Sequence, residues 1–219
     1  MLVQANAMKI PLADESVDLV FTDPPYDRES LGLLGPIAQE ASRVLRPDGF
    51  LLLMTGSLYL DRVFEYIGRS GLGFFWELRI VTPRRPQTIW RNNGNNNRMA
   101  MVVRSKPILA FGKGHGIPRC PVLDTIIGGG SDKTWHHWGQ DVASARYFID
   151  CFTKEGDLVL DPMVGGGTTL AACELIGRRW IGMDLDWNAC VTSRNRMNDS
   201  DLARPLPLFA FPASGKESE

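Results

Sequence analysis

Residues 158–169 read LVLDPMVGGGTT, and this stretch decides the fold. Its apolar start is typical of a buried strand that ends at Asp161, and three glycines follow. Glycines in such a turn tolerate positive φ and let the backbone approach a ligand at the start of the next helix. We therefore predict a strand, a tight turn and a helix, with a ligand bound at the turn.

The spacing of this turn separates three classes of cofactor. A dinucleotide fingerprint would need glycine at position 170, which is leucine, and a P-loop would need a lysine that does not follow here. With these two classes excluded, the features left to interpret are the carboxylate of Asp161 at the strand end and a second acid, Asp184, at the end of the next predicted strand. A ribose diol would be bound by that second acid. On this motif alone, a plain turn without a ligand stays open.

Outward from this stretch, strand and helix patterns alternate along the chain. Strands are predicted at residues 2–5, 17–21, 50–54, 158–160 and 180–183, with helices between them and a stop signal at 47–49. In the middle, strands are predicted at 74–81, 99–103 and 108–111, with a polar loop at 91–98 and irregular chain at 112–133. This alternation predicts an α/β fold, in which ligands bind at the carboxyl ends of parallel strands.

Charge is distributed unevenly along the chain. The formal net charge is −1, but residues 76–119 contain nine basic residues and one acidic residue, a local charge of +8 against −9 for the remainder. Such asymmetry favours a basic surface for a polyanion on an acidic scaffold, although an ordinary solvated face stays open.

Composition excludes several other classes of protein. The 219 residues are 44% hydrophobic and 22% charged, which suits one α/β domain with a modest insertion. No apolar run is long enough to span a bilayer and no secretory signal is visible, so we expect a cytoplasmic protein without a membrane partner. The four scattered cysteines lack metal-ligand spacing, which predicts buried thiols in a reducing compartment and no metal.

A second motif, TDPPY at residues 22–26, follows the predicted strand at 17–21. Its two prolines lack N–H donors and stiffen the turn, so nearby carbonyl groups point outward. The Asp23 carboxylate and such a carbonyl form two acceptors, which match the two N–H donors of an aromatic amine. Tyr26 supplies a ring on which a planar base can stack. A rigid turn with a buried tyrosine is the alternative.

Together the two motifs resemble those of the DNA amino-methyltransferases, which methylate N6 of adenine or N4 of cytosine. That family's catalytic motif reads Asp/Asn/Ser-Pro-Pro-aromatic, and its cofactor motif reads Asp-Pro-Phe-x-Gly-Ser-Gly-Thr-Thr. Here the catalytic motif comes first, the order of the family's permuted β class. The resemblance covers about residues 2–83 and 135–197, and the small size is similar to that of phage enzymes.

This resemblance implies a Rossmann-like methyltransferase fold with a circularly permuted motif order and a mixed, mostly parallel seven-stranded sheet. It implies one domain over residues 1–219, with a basic target-recognition segment inserted at 84–134 and a flexible tail at 205–219. S-adenosylmethionine is the implied cofactor and double-stranded DNA the implied partner. A homodimer and a cognate restriction enzyme are left open. The expected location is the cytoplasm of a bacterial, archaeal or phage-infected cell.

The family's functional residues carry over to positions in both motifs and between them. The implied catalytic residues are Asp23, Pro24, Pro25 and Tyr26. The implied cofactor-binding residues are Asn6, Gln140, Asp161, Pro162, Met163, Gly165, Gly167, Thr168, Thr169 and Asp184. Those expected to contact DNA are Arg84, Arg85, Arg91, Asn93 and Arg98.

The chain departs from the family pattern at a few positions. Met163 stands where phenylalanine is usual, Gly166 where serine is usual, and Asp184 where glutamate is commoner. Residues 140–141 read Gln-Asp where many members have Lys-Pro. The changes at Met163 and Gly166 lie in the cofactor turn, so we expect them to alter cofactor affinity while the backbone geometry of the turn survives.

Asp23 in the catalytic motif favours adenine N6 as the target. Cytosine N4 remains the first alternative, and an amine of RNA or protein is a second, which the basic segment and the permuted order disfavour. A non-catalytic cofactor-binding regulator of nucleic acid is a third, and the intact catalytic motif argues against it.

Overall fold

The computed structural model describes residues 1–82, 87–92, 98–128 and 141–198. Ten strands form two sheets in this part of the chain. They are β1 (Leu2–Gln4), β2 (Val17–Thr22), β3 (Leu45–Met54), β4 (Gly73–Val81), β5 (Gln87–Asn92), β6 (Arg98–Val103), β7 (Ser105–Gly112), β8 (Thr125–Ile127), β9 (Leu158–Asp161) and β10 (Arg179–Asp184).

The main sheet has eight strands in the order β1-β10-β9-β2-β3-β7-β4-β8, and β5 and β6 form a separate hairpin. Neighbours from β1 to β3 are parallel. Only β7, between β3 and β4, runs the other way, since β8 is parallel to β4. The predicted α/β fold with a mostly parallel sheet is confirmed. The sheet has eight strands rather than seven because the three-residue strand β8 joins its edge.

In the part of the chain that the structure describes, five α-helices cover this sheet. They are α1 (Leu34–Val44), α2 (Leu60–Ile67), α3 (Val142–Phe152), α4 (Thr168–Glu174) and α5 (Trp187–Met197). Helices α1 and α2 pack on one face, and α3 and α4 pack on the other. Helix α5 packs against β1, β10 and α4. The Asp141 side chain caps α3 by accepting hydrogen bonds from the amides of Ala143 and Ser144.

The central strands are apolar on both faces because helices cover both sides of the sheet. In β3, Leu51 and Leu53 face the cluster that contains α1, whereas Leu52 and Met54 face the cluster that contains α3. All four are nearly inaccessible to solvent. Burial of each such side chain stabilises the fold by roughly 1.5–3 kcal/mol, so the middle of the sheet holds the two layers together.

Some local predictions were wrong. Helix α1 ends at Val44, before the stop signal as predicted, but residues 47–49 lie inside β3 rather than in a turn before it. There Asp48 has φ +64° and the pairing with β2 shifts register. A Cβ at Gly49 would lie 2.9 Å from the Asp18 carbonyl oxygen, so this bulge requires glycine. The expected loop at 91–98 begins and ends within β5 and β6, and β8 lies in the stretch expected to be irregular.

The insertion leaves the sheet at the edge where the parallel strands end. Val81, the last residue of β4, pairs with Ser105, the first residue of β7. Just beyond them, the Thr82 amide donates a hydrogen bond of 2.7 Å to the Arg104 carbonyl, which joins the two ends of the chain segment between β4 and β7. The β5–β6 hairpin is therefore anchored beside the carboxyl ends of the other strands.

Within the described ranges, no helix combines the length and the apolar character needed to cross a membrane. Three of the four cysteines are buried, as expected for packed thiols, but Cys120 is exposed. The prediction of buried thiols was wrong for Cys120 because it lies on the irregular chain that precedes β8.

Candidate active site

A cavity of about 790 Å³ opens at the carboxyl edge of the sheet, within the usual size range of small-ligand sites. Both sequence motifs line it, although they lie almost 140 residues apart. They meet because β2 and β9 are neighbouring parallel strands, so the turns after them emerge side by side. The predicted site residues that line it are Asp23, Pro24, Pro25, Tyr26, Asp161, Met163, Gly165, Thr168, Thr169 and Asp184.

The cavity is acidic. Among the described residues that line it, five are aspartates and one is arginine: Asp23, Asp27, Asp161, Asp184, Asp186 and Arg28. This charge balance favours a ligand that carries positive charge.

The Asp-Pro-Pro-Tyr turn presents one carboxylate and one ring. Asp23 Oδ2 accepts a hydrogen bond of 2.6 Å from the ammonium of Lys106, and the Asp23 side chain is 26% exposed. The Tyr26 residue is 40% exposed, and the backbone of Gly56 packs against its ring. A Cβ at Gly56 would lie only 2.9 Å from Tyr26 Cδ2, so this position fixes how far the ring can approach β3.

The glycine turn is shaped by two left-handed residues, Gly165 with φ +47° and Gly167 with φ +74°. Helix α5 holds its outer side, where Ser193 Oγ donates to the Gly165 carbonyl at 2.9 Å and Arg196 Nη1 donates to the Gly166 carbonyl at 3.0 Å. Arg196 is buried, so its contacts with the Gly166 carbonyl and with Thr168 Oγ1 also satisfy a guanidinium that water does not reach freely. The turn is thus clamped between β9 and α5.

Asp161 is the buried carboxylate of the site. Thr169 Oγ1 donates to it at 2.6 Å and the Met163 amide donates at 3.1 Å, and the residue is 4% exposed. Burial raises the pKa of Asp161 to about 7, and the negative charge of Asp23 adds to this effect against the two hydrogen bonds. A cationic ligand group beside Asp161 would favour its ionised form.

Asp184 ends β10 and connects to the glycine turn. One carboxylate oxygen accepts from the Gly165 amide at 3.1 Å and the other accepts from the Asp186 amide at 3.0 Å. A carboxylate offers about four acceptor sites, so each oxygen can still accept a hydrogen bond from a hydroxyl group of a ligand.

Several predicted site residues do not line the cavity. Asn6 Oδ1 accepts from the Met8 amide at 2.9 Å in a local turn, and Asn6 is not part of the cavity wall. Pro162 and Gly167 belong to the turn but are not among the residues that line the cavity. Arg91 and Arg98 fall on the hairpin strands β5 and β6. The remaining predicted residues lie outside the described part of the chain: Arg84, Arg85, Asn93 and Gln140.

Sequence reasoning missed Asp27, Arg28 and Asp186, which line the cavity. It also missed four residues that contact the site residues from outside the cavity wall: Gly56, Lys106, Ser193 and Arg196. Gly56 follows the end of β3, so the rule that sites form at strand ends could have found it. Lys106 begins the antiparallel strand β7, whose place in the sheet no local pattern reveals. Ser193 and Arg196 lie three residues apart on α5, a spacing that only indicates a shared helix face.

Substituting Gly167 by alanine is expected to lower the free energy of unfolding by about 2–4 kcal/mol, measured by denaturant titration. An alanine there would adopt a positive φ, and its Cβ would lie 3.0 Å from Ser193 Oγ and 3.2 Å from Ser193 Cα. Gly156→Ala is the matched control, since Gly156 has φ +80° but no atom within 4 Å of a Cβ. Equal losses in both variants would show that the contact with Ser193 does not constrain the turn.

The sequence of this chain is similar to those of methyltransferases. A family model described as DNA methylase, N6_N4_Mtase, matches residues 128–195. The Type II methyltransferase M2.LlaDCHI of Lactococcus lactis subsp. cremoris is 41% identical to this chain, over 90% of this chain and 88% of that protein.

Two solved structures share the fold. The complex of M1.HpyAVI with S-adenosylmethionine superposes with a TM-score of 0.71 at 23% identity, covering 90% of this chain and 98% of that one. The PvuII DNA methyltransferase, described as cytosine-N4-specific, superposes with a TM-score of 0.76 at 18% identity, covering 91% and 86% of the two chains. At these identities the likeness concerns the architecture.

Proposed function

Because this chain belongs to the N6/N4 family of DNA methyltransferases, which use S-adenosylmethionine, we propose that it methylates the N6 amine of adenine in double-stranded DNA. One observation carries the proposal: the Asp-Pro-Pro-Tyr turn and the glycine turn line the same cavity. An acceptor for an amine and a site for the methyl donor therefore lie within reach of each other.

The residues around the glycine turn fit this cofactor. S-adenosylmethionine carries a sulfonium and an ammonium group, which suit an acidic cavity, and when bound it supplies the electrophilic methyl group. Asp161 would hold the ammonium, because a buried carboxylate whose pKa is raised to about 7 gains most from a cationic partner. Asp184 would accept the ribose hydroxyls, and the backbone around Gly165 would lie against the cofactor.

On the other side of the cavity, the Asp-Pro-Pro-Tyr turn fits the target base. A base inside a duplex cannot reach this turn, so the target nucleotide has to be flipped out of the helix. Its ring stacks on Tyr26, while its amine donates hydrogen bonds to Asp23 and to the carbonyl of Pro24. These acceptors favour a more tetrahedral nitrogen and aim its lone pair at the methyl group, so the chain acts by positioning and electrostatics.

The inserted segment at residues 84–134 would read the DNA. Its hairpin is anchored at the cavity edge of the sheet, and the surrounding residues 76–119 carry the local charge of +8. Basic side chains on such a hairpin would bind phosphates and base edges. Two sets of contacts stay predictions: those of Arg84, Arg85, Arg91, Asn93 and Arg98 with DNA, and that of Gln140 with the cofactor.

A Type II methyltransferase among the relatives favours a role in restriction-modification. A homodimer and a cognate restriction enzyme stay predictions.

The test is nucleoside mass spectrometry of unmethylated DNA incubated with the purified protein and S-adenosylmethionine bearing a deuterated methyl group. We expect deuterated N6-methyladenine, and the isotope separates new methyl groups from those already present. N4-methylcytosine would overturn the choice of base and leave the site intact. Absence of any labelled base, although the protein binds the cofactor, would overturn the proposal and favour a non-catalytic role.

A further inference from the structure

Lys106 contacts both groups that the target base would use. Its ammonium nitrogen lies 2.6 Å from Asp23 Oδ2 and 5.2 Å from the centroid of the Tyr26 ring. The lysine side chain is only 14% exposed, which is unusual for a residue whose charge favours water. The carboxylate and the ring therefore hold the ammonium inside the site.

The ammonium occupies the place expected for an exocyclic amine. A base stacked on Tyr26 would lie about 3.5 Å from the ring plane, at van der Waals contact. Its amine projects from the edge of the base, so an offset stack places that nitrogen about 5 Å from the ring centroid and within hydrogen-bond reach of Asp23. These are the distances that Lys106 Nζ shows to the same two groups.

Lys106 also lies where the chain re-enters the main sheet after the β5–β6 hairpin. It is the second residue of β7, directly after the β5–β6 hairpin, and the Arg104 carbonyl just before it is bonded to Thr82. The backbone on both sides is paired, to β4 through Ile80 and to Thr55 through the Pro107 carbonyl. Because the strand is anchored and the lysine stem is long and flexible, the ammonium can leave Asp23 by a change of side-chain rotamer.

We propose that Lys106 competes with the target amine for Asp23 and Tyr26, and so determines which bases enter the site. This inference rests on the proposed function. A base that presents an amine replaces the hydrogen bond that Asp23 loses when the lysine leaves. A base that presents a carbonyl oxygen at this position places one acceptor against another, the Asp23 carboxylate. Displacing the lysine would then lose a hydrogen bond that the base does not replace.

The competition is tested by steady-state kinetics of Lys106→Met and Lys106→Arg, with unmethylated plasmid DNA varied and labelled methyl groups counted by nucleoside mass spectrometry. Methionine keeps the apolar stem without the charge, so we expect KM for DNA to fall about three- to tenfold and kcat/KM to rise. Arginine pairs bidentately with a carboxylate, so Lys106→Arg is expected to raise KM. The thermal shift produced by S-adenosylmethionine reports that each variant is folded.

Other roles for the lysine give different patterns. If Lys106 bound a DNA phosphate, Lys106→Met would raise KM and Lys106→Arg would keep it, which would overturn the proposal. A fall in kcat at unchanged KM in Lys106→Met, or no change in either variant, would overturn it as well. Failure of the wild type to methylate any base would refute the proposed function together with this inference. Methylation by the wild type without the expected pattern would refute only the competition.

Discussion

Replacing Asp23 by alanine is expected to lower kcat for methyl transfer by about a hundred- to a thousandfold, the usual effect of removing one electrostatic contact to a transition state. Asp23 begins the turn after β2, lines the cavity and accepts a hydrogen bond from Lys106 in the absence of DNA. Alanine removes the acceptor that would orient the amine and stabilise the positive charge it develops. Single-turnover rates, with product counted by nucleoside mass spectrometry, measure the effect.

Cofactor binding by Asp23→Ala should survive. The negative charge of Asp23 contributes to the raised pKa of Asp161, so its removal favours the ionised form of Asp161. Asp23→Asn is the matched control, since the amide keeps one acceptor oxygen, and we expect its rate to lie between those of wild type and alanine variant. A loss below tenfold, or loss of S-adenosylmethionine binding in a titration calorimeter, would contradict the role given to Asp23.

Replacing Asp161 by asparagine is expected to weaken S-adenosylmethionine binding by about a hundredfold and, in the same protein, to stabilise the fold at pH 8. The pKa of Asp161 is raised to about 7 from its usual value of 3.8, so folding favours the neutral carboxyl. As pH rises from about 4 to 7, the carboxyl ionises in the unfolded chain but keeps its proton in the folded state, so the free energy of unfolding falls steadily. Above pH 7 both states are ionised and the full destabilisation is present. Asparagine removes up to about 4 kcal/mol of this destabilisation.

Denaturant titrations of both proteins at pH 8 and pH 5 without ligand measure this difference. The advantage of Asp161→Asn should be large at pH 8 and small at pH 5, where the wild-type carboxyl is mostly protonated in the folded state. A variant less stable than wild type at pH 8 would show that the hydrogen bonds from Thr169 and Met163 outweigh the cost of the buried charge.

Calorimetry across the same pH range tests the binding half of this prediction. Only the ionised carboxylate pairs with an ammonium group, so wild-type affinity should fall as pH drops below 7, by at most about tenfold per pH unit. The asparagine variant should lack this dependence. Identical pH profiles would mean that Asp161 does not contact the charged end of the cofactor.

Sequence reasoning succeeded where the signal is local. The apolar runs of β2, β3 and β9 are covered on both faces, and such strands read directly as continuous hydrophobic segments. The two turns could be placed at one edge because parallel strands expose their carboxyl ends together. The Pro-Asp-Gly signal correctly followed the end of α1, but it did not reveal that Asp48 forms a bulge inside β3. The pairing of β2 with both parts of β3 is not a local property.

Alone, the sequence determined the α/β class, the two turns and their acidic residues, because strand period, proline stiffness and glycine freedom act within a few residues. Only the tertiary structure decided that Lys106 donates a hydrogen bond to Asp23, that Gly56 sets the position of Tyr26, and that α5 holds the glycine turn. Those contacts depend on which strands are neighbours. The order of the sheet results from packing the whole chain, so no short pattern of residues carries that information.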